Sequence, residues 1–322
     1  MLTPHDRGVM IDLLLGDLFD DTLLNEVYAK LSTGEVEKGI DELFLGLQTR
    51  RLNSSDQEWT EFVSLCLRHP LKELLFQDPF TRRAAEKPRG YAGDAVLMDL
   101  IYSSDEGWPS PEGTTELGRR IFNYTTSAPA AEGVRARREF IADMLDHLVE
   151  EIRQPHVLSI ACGHLREAIL SSAVKRRKLG RFAALDQDTQ SLEEVDRRYA
   201  GYGVEVIPAT IRQILTQRVG LGDFDVVYSL GLFDYVQQTV GQRLVWEMFQ
   251  MLRPRGRLLV ANFLPGIRDI GYMESYMDWK LLYRTRQEML DLSVLIPQAD
   301  IRDIRIFTEE NQNIIFLQVW KR

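Results

Sequence analysis

Apolar residues recur at helical spacing through roughly the first half of the chain. Ser32 with Glu35, and Ser55 with Glu58, have the spacing of capping boxes, in which two side chains bond the backbone at a helix start. The last helix of this region is predicted to end just before Pro155, with an apolar face formed by Val134, Phe140, Ile141, Met144, Leu145, Leu148, Val149 and Ile152. The pattern predicts an N-terminal region built from helices.

Beyond Pro155 the pattern changes, because short apolar runs alternate with helical periods. This alternation is typical of βαβ units, in which helices cover both faces of a parallel sheet. Two further apolar runs near the C-terminus predict an antiparallel hairpin at the sheet edge. The predicted strands are 156–161, 182–186, 204–207, 224–230, 257–263, 301–307 and 314–320. The predicted helices between them are 166–178, 190–200, 211–217 and 238–252. We predict an α/β fold, with a helical domain at 1–133 and a sheet domain at 134–322.

Composition narrows the class of protein. The 322 residues suggest about two domains. A formal net charge of −9 disfavours binding along a nucleic-acid backbone, which needs clustered Lys and Arg. The two cysteines, Cys66 and Cys162, lie far apart and predict neither a metal site nor a disulfide framework, so we expect a reducing, cytoplasmic setting. The sequence carries no secretory signal pattern and no run of the ~18 apolar residues that span a membrane.

The carboxyl ends of the predicted strands carry the chemistry, because ligands of open α/β sheets bind there. Small residues in Ala161-Cys162-Gly163, after the first strand, allow a ligand to approach the backbone. Asp186 ends the second strand about 23 residues later, near the spacing at which such folds place an acid on ribose hydroxyls. Its alternative role is a helix N-cap, although Asp188 or Thr189 can also serve as that cap. Since Gly163 alone matches the dinucleotide fingerprint, an adenosyl ligand without phosphates is favoured.

Four stretches in this order and spacing resemble the motifs of class I S-adenosylmethionine-dependent methyltransferases. They are VLSIACGHLREA, AALDQD, DFDVVYSLGLFDYV and MLRPRGRLLVANF. The resemblance implies a Rossmann-like doubly wound sheet of seven strands, the last antiparallel, with S-adenosylmethionine as cofactor and no metal. It also implies the cofactor contacts, which are Ala161, Cys162, Gly163, Asp186, Gln187, Ala209, Thr210, Ser229, Leu230 and Gly231.

Two further stretches resemble a subgroup. EKPRGYAGDA and YMDWKLLYRTRQEML are similar to segments of bacterial 3-hydroxypalmitic acid methyl ester synthases. Those proteins pair a helical N-terminal region with a methyltransferase domain. The resemblance implies methyl ester formation on a hydroxy fatty acid.

The PRGYAGD stretch predicts an ordered turn with its own chemistry. Arg89 offers a planar donor pair for a carboxylate, and Tyr91 offers a ring and a hydroxyl. We hypothesise that this turn closes over the cofactor or the acceptor. The alternative is a capping turn in which Asp94 starts the next helix.

Two further residues are candidates for the reaction. Arg284 is predicted on a helix with Trp279 and Tyr283, where a basic group suits an acceptor carboxylate. A carboxylate acceptor needs no general base, whereas a hydroxyl or amine acceptor makes His164 or Asp234 a candidate base. His164 can equally bond the backbone of its turn.

We therefore expect a methyltransferase with a small-molecule acceptor, in which Arg89, Tyr91, Arg284 and His164 are the catalytic candidates. Three alternatives stay open: methylation of another metabolite or of a protein, cofactor binding without turnover, and a nicotinamide-dependent oxidoreductase. We expect no nucleic-acid partner, and the oligomeric state is open between monomer and homodimer.

Overall fold

The computed structural model describes residues 21–103 and 111–322 and divides into two compact units. The first unit comprises the described residues up to Ala131 together with Ile267–Lys280. The second comprises Glu132–Gly266 and Leu281–Arg322. The segment Ile267–Lys280 thus packs with the helical unit, although its sequence position lies within the predicted sheet domain. The division of the chain into a helical domain at 1–133 and a methyltransferase-like sheet domain at 134–322 stays a prediction.

Helices form nearly all of the first unit and surround the sheet of the second. In chain order they are α1 (Thr22–Ser32), α2 (Val36–Asn53), α3 (Asp56–Arg68), α4 (Leu71–Leu75), α5 (Pro79–Glu86), α6 (Ala95–Ser103), α7 (Glu116–Thr126), α8 (Pro129–Glu151), α9 (Glu167–Leu170), α10 (Ser172–Lys175), α11 (Thr189–Tyr199), α12 (Ile211–Leu215), α13 (Gln238–Gln250), α14 (Ile270–Ser275) and α15 (Arg286–Asp291). Every helix in the described part of the chain is too short or too polar to cross a membrane.

The two predicted capping boxes have different outcomes. Ser55 and Glu58 form one at the start of α3, with the Glu58 amide donating to Ser55 Oγ and the Ser55 amide donating to Glu58 Oε2. The prediction for Ser32 was wrong, because Ser32 is the last residue of α1. Gly34 follows with φ of +90°, which turns the chain out of the helix, so the spacing crosses a helix end.

A buried carboxyl group organises the core of the first unit. Asp78 caps α5 and accepts hydrogen bonds from the amides of Phe80 and Thr81 at 2.9 and 3.1 Å. The hydroxyls of Thr81 and Thr125 also donate to it, at 2.6 and 3.1 Å. Burial nevertheless raises the pKa of Asp78 to about 6, since desolvation outweighs these bonds.

Because of this raised pKa, we expect Asp78 to make the first unit more stable at acidic pH than at neutral pH. Between the ordinary value of 3.8 and about 6, the folded chain binds more protons at Asp78 than the unfolded chain does. The unfolding free energy therefore falls as pH rises through that window, by about 3 kcal/mol in all. Thermal unfolding measured against pH will show this slope in the wild type and a smaller slope in Asp78→Asn, which lacks the Asp78 contribution. The exposed Asp56→Asn is the control, and an unchanged slope in Asp78→Asn contradicts the prediction.

A seven-stranded sheet forms the centre of the second unit, as predicted. Its order is β3-β2-β1-β4-β5-β7-β6, and only β7 runs antiparallel to its neighbours. The strands are β1 (His156–Ile160), β2 (Arg181–Asp186), β3 (Val204–Pro208), β4 (Phe224–Ser229), β5 (Leu252–Phe263), β6 (Ile301–Thr308) and β7 (Ile314–Lys321). The α/β Rossmann-like fold class is confirmed.

Helices cover both faces of this sheet, which explains why nearly every residue of β1, β2 and β4 is buried. On one face, Leu244 and Phe249 of α13 belong to the same buried cluster as β-strand residues such as Leu158. Helix α8 packs on the hairpin through Phe140, whose ring lies 5.0 Å from Phe316 and 5.3 Å from Phe307. The predicted helix 166–178 is instead two short helices, because Ser171 ends α9 and caps α10.

Candidate active site

Three strand ends meet at the carboxyl edge of the sheet. Ile160 of β1 lies beside Leu185 of β2, and Ser159 lies beside Tyr228 of β4. The amide of Cys162 donates to the carbonyl of Leu185 at 3.1 Å, which extends this pairing by one step. The order reverses at β1, whose neighbours are β2 and β4, and such switch points are where open α/β sheets bind ligands.

The loop after β1 turns sharply through left-handed backbone. Ala161, Gly163 and Leu165 have φ of +53°, +54° and +50°. A left-handed conformation in a residue with a Cβ costs of order 1–3 kcal/mol and is concentrated at functional sites. Ala161, Cys162 and Gly163 are all half-buried, so part of this loop is exposed at the edge of the sheet.

Asp186 is fixed at the end of β2 by two backbone donors. The Gly163 amide donates to Oδ2 and the Asp188 amide to Oδ1, both at 2.9 Å. Asp188, and not Asp186, caps α11 by accepting from the Gln190 amide. The carboxylate is 8% exposed, and burial raises its pKa. Since a carboxylate offers about four acceptor positions, these backbone bonds leave capacity for a ribose hydroxyl.

Ser229 supplies a second polar atom at this edge. Its side chain is fully buried, and its Oγ makes no hydrogen bond to the part of the chain that the structure describes. An unbonded buried hydroxyl costs about 1–3 kcal/mol, and no accessible surface connects this one to a ligand. Leu230 and Gly231 follow, half-buried. The Asp186 carboxylate and the half-buried loop after β1 are the groups at this edge that suit an adenosyl ligand without phosphates.

The remaining predicted cofactor residues are more exposed or already bonded. Gln187 is exposed. Ala209 is buried, and its amide donates to the Asp186 carbonyl at 3.0 Å. Thr210 caps α12 in a reciprocal capping box with Gln213. The cofactor roles of these residues stay predictions.

The sequence from 158 to 260 matches the family model of a methyltransferase domain. The chain carries a methyltransferase domain. The protein is an S-adenosylmethionine-dependent methyltransferase, and S-adenosylmethionine is its cofactor. No curated protein matches the sequence.

Three solved structures are similar to this chain. A possible exported protein from Bordetella parapertussis is 16% identical with a TM-score of 0.57, over 71% of this chain and 79% of that one, which shows the shared fold. Magnesium protoporphyrin IX methyltransferase from Synechocystis, with bound S-adenosylhomocysteine, is 11% identical with a TM-score of 0.45, over 60% and 86%. An N-methyltransferase from Bradyrhizobium japonicum, in complex with S-adenosylhomocysteine, is 13% identical with a TM-score of 0.43, over 69% and 99%.

The methyltransferase also places a buried arginine at the end of β4, which the sequence analysis missed. Arg137 of α8 donates to the Leu230 carbonyl at 2.8 Å, and its guanidinium lies 5.9 Å from the Phe263 ring centre. The sequence does contain a signal for a buried arginine. Arg137 and Arg138 lie three and four residues beyond Val134, on the apolar stripe of α8. Basic residues at core positions of a helix indicate buried polar partners.

Asp234 lies between two arginines of this domain. Its Oδ1 accepts from the Phe263 amide at 2.8 Å, and its Oδ2 lies 3.9 Å from Arg137 Nη1. The group is 2% exposed. Burial raises the pKa of Asp234 to about 6, against the lowering effects of Arg137, the Phe263 amide and Arg284.

Residues 278–285 have no regular secondary structure, so the predicted helix carrying Trp279, Tyr283 and Arg284 was wrong. Arg284 is 3% exposed. It donates to the carbonyls of Phe233 and Val236 and to the side chains of Asn262 and Gln238, at 2.5–2.8 Å. These partners fix the turn after β4, and a contact of Arg284 with the acceptor stays a prediction.

His164 is buried and directly follows Gly163 in the loop after β1. The guanidinium of Arg166 lies 3.3 Å from its Nδ1. Because arginine can only donate, Nδ1 is the acceptor, and the neutral ring carries its proton on Nε2. The catalytic role of His164 stays a prediction.

Arg89 and Tyr91 lie in the first unit, in a turn where Gly90 has φ of +88°. Both side chains are half-buried. Asp94 caps α6 by accepting from the Leu97 amide at 2.8 Å and forms a two-point ion pair with Arg83 at 3.0 and 2.7 Å. The capping alternative for Asp94 is therefore correct, and the roles of Arg89 and Tyr91 stay predictions.

Proposed function

We propose that this methyltransferase forms a methyl ester on the carboxylate of a small molecule, with a hydroxy fatty acid as one candidate. The main support is that both candidate bases are held by arginines. His164 accepts from Arg166, and Asp234 lies beside Arg137 with one oxygen bonded to a backbone amide. A carboxylate is already ionised near pH 7 and needs no base, whereas a hydroxyl or amine does.

The mechanism assigns holding and positioning to the chain. S-adenosylmethionine supplies a methyl group carried on a positively charged sulfur. In the proposal, Asp186 accepts from ribose hydroxyls, and Gly163 fixes that carboxylate through its amide. The half-buried loop of Ala161 and Cys162 and the residues that follow β4 contact the rest of the cofactor. Holding the reactants in line while excluding water then provides most of the rate.

Alkali lability of the product tests the proposal. Purified protein is incubated with methyl-labelled S-adenosylmethionine and a panel of carboxylic acids that includes 3-hydroxy fatty acids. We expect label that mild alkali releases as methanol, because esters hydrolyse and methyl ethers and methylamines do not. Product whose label survives alkali contradicts an ester.

Replacing His164 by alanine is expected to leave kcat within about threefold of the wild type, because a carboxylate acceptor loses no proton. The exposed His147→Ala is the matched control. A fall of roughly a hundredfold or more, the usual cost of losing a general base, contradicts the proposal.

A second candidate, O- or N-methylation of another small metabolite, draws support from Asp234. Its pKa of about 6 suits a group that accepts a proton near neutral pH. In that case kcat will rise with pH through about 6, and Asp234→Asn will abolish the rise.

A further inference from the structure

A buried carboxyl group lies next to the loop after β1 and has no role in the mechanism described above. Glu167 is the first residue of α9, the helix that directly follows this loop. The residue is 5% exposed. The Tyr228 hydroxyl donates to Glu167 Oε1 at 2.6 Å. A buried acid so close to a cofactor site is a candidate for an electrostatic role.

The bond to Tyr228 places this carboxyl group at the junction of β1 and β4. Tyr228 lies beside Ser159 of β1 and directly precedes Ser229, the last residue of β4. In the strand order, β4 and β2 lie on opposite sides of β1. Glu167 therefore lies at β1 and β4, whereas Asp186 lies at the end of β2.

Both carboxyl groups act on the same residue of the loop. Burial raises the pKa of the Cys162 thiol, and the charges of Asp186 and Glu167 raise it further. Glu167 is thus within electrostatic reach of the middle of the loop. At an effective dielectric constant of about 20, two unit charges up to about 12 Å apart change a binding constant roughly tenfold. Glu167 therefore needs no direct contact with a ligand on the loop to affect its binding.

The titratable and charged groups that face Glu167 come from four elements. They are Arg137 and Arg138 of α8, Cys162 of the loop, Tyr199 of α11 and Tyr228 of β4. Burial raises the pKa of the thiol and of both phenols, so within this set the two arginines are the cations. Burial also raises the pKa of Glu167, against the lowering effects of the Tyr228 hydroxyl and the two arginines. Glu167 therefore takes up a proton at a higher pH than an ordinary glutamate.

We propose that Glu167 makes the cofactor site selective for a positively charged sulfur. S-adenosylmethionine carries this charge and S-adenosylhomocysteine does not, while their other charged groups are the same. The ionised carboxylate attracts the first ligand more than the second. Methyl transfer leaves the bonding electron pair on sulfur, which becomes neutral, so the attraction ends and the product leaves more easily. The inference rests on the cofactor placement of the proposed function and not on ester formation.

Calorimetric titration of both ligands, without acceptor, into the wild type and Glu167→Gln tests the proposal. Glutamine keeps the size of the side chain and an acceptor for the Tyr228 hydroxyl, but it carries no charge. We expect the preference for S-adenosylmethionine over S-adenosylhomocysteine to fall about tenfold in Glu167→Gln. An equal preference in the variant and the wild type overturns the proposal.

Glu247→Gln is the matched control for this change. Glu247 is also buried in the sheet unit and pairs with Arg243. It lies in the last turn of α13, which ends where β5 begins, at the opposite edge of the sheet from the cofactor loop. We expect this variant to keep the wild-type preference, and an equal fall in both variants contradicts the role of Glu167.

Proton release provides a second measurement that needs no Glu167 variant. A cation near Glu167 favours its ionised form, so between about pH 6 and 7 we expect S-adenosylmethionine to release more protons on binding than S-adenosylhomocysteine. Titration in two buffers of different ionisation enthalpy measures this release. Asp186 contributes equally to both ligands, because they carry the same ribose. Equal release by the two ligands overturns the proposal.

Asp234→Asn identifies the group that releases these protons. Asp234 is another buried carboxyl group with a raised pKa, and it lies 3.9 Å from Arg137. We expect the excess release by S-adenosylmethionine to persist in Asp234→Asn. Loss of the excess in this variant assigns the protons to Asp234 and overturns the role of Glu167.

The outcomes separate this inference from the proposed function. Methyl ester formation together with an unchanged ligand preference in Glu167→Gln refutes charge selection and keeps the function. A preference that falls in Glu167→Gln, with no methyl transfer to any acid, refutes ester formation and keeps charge selection.

Discussion

Replacing Asp186 by alanine is expected to weaken the binding of S-adenosylhomocysteine by roughly a hundredfold. A hydrogen bond to a charged group contributes about 1.5–3 kcal/mol, and this carboxylate is held ready for such bonds by the Gly163 and Asp188 amides. Isothermal titration calorimetry of the two proteins measures the effect. S-adenosylhomocysteine is the suitable ligand because it does not react.

Asp188→Ala is the matched control, since it changes a carboxylate two residues away on the same turn. It removes the cap of α11 and is expected to lower stability by about 1 kcal/mol while leaving the dissociation constant within about threefold. Equal losses of affinity in the two variants contradict the assignment of Asp186 to the cofactor.

The affinity will also depend on pH in a way that Asp186 sets. Burial raises the pKa of this carboxyl group, so it takes up its proton at a higher pH than an ordinary aspartate. Since the ionised form is the better acceptor, wild-type binding weakens as pH falls through that raised value. The same titration repeated at lower pH shows this loss.

The sheet could be predicted from the sequence because of where its strands lie. β1, β2 and β4 are covered on both faces, so nearly every residue is buried and their short apolar runs stand out from the helical periods. The position of Asp186 followed from the same pattern, because a strand end fixes where its next residues lie. The hairpin of β6 and β7 was visible for a similar reason, since a polar stretch separates two apolar runs.

The finer parts of the site depend on contacts between distant segments. No local signal marks Ala161 as left-handed, because alanine favours right-handed backbone. Spacing predicted Arg284 on a helix, but the residue lies in a segment without regular secondary structure and bonds the carbonyls of Phe233 and Val236. Ile267–Lys280 packs with helices far away in sequence, which periodicity alone does not reveal. Tertiary contacts override local preference at each of these places.

Three charged groups connect the elements beside the end of β4. Asp234 bonds the backbone of β5, Arg137 reaches Leu230 from α8, and Arg284 holds the turn that contains Asp234. The one buried carboxylate compensates only part of the charge of the two buried cations, whose other partners are carbonyl and side-chain oxygens, and an uncompensated buried charge is costly. Removing one member is therefore expected to destabilise the whole turn.

Arg284→Ala is expected to lower the unfolding free energy of the sheet unit by about 3–5 kcal/mol. The change leaves two buried carbonyls and the side chains of Asn262 and Gln238 without their donor, and it removes a cation near Asp234. Chemical unfolding followed by tryptophan fluorescence measures the loss. The exposed Arg286→Ala is the matched control, since it deletes an arginine with one backbone bond and is expected to cost about 1 kcal/mol or less. A stable Arg284→Ala protein whose KM for the acceptor rises sharply contradicts the structural role and supports a direct contact with the acceptor.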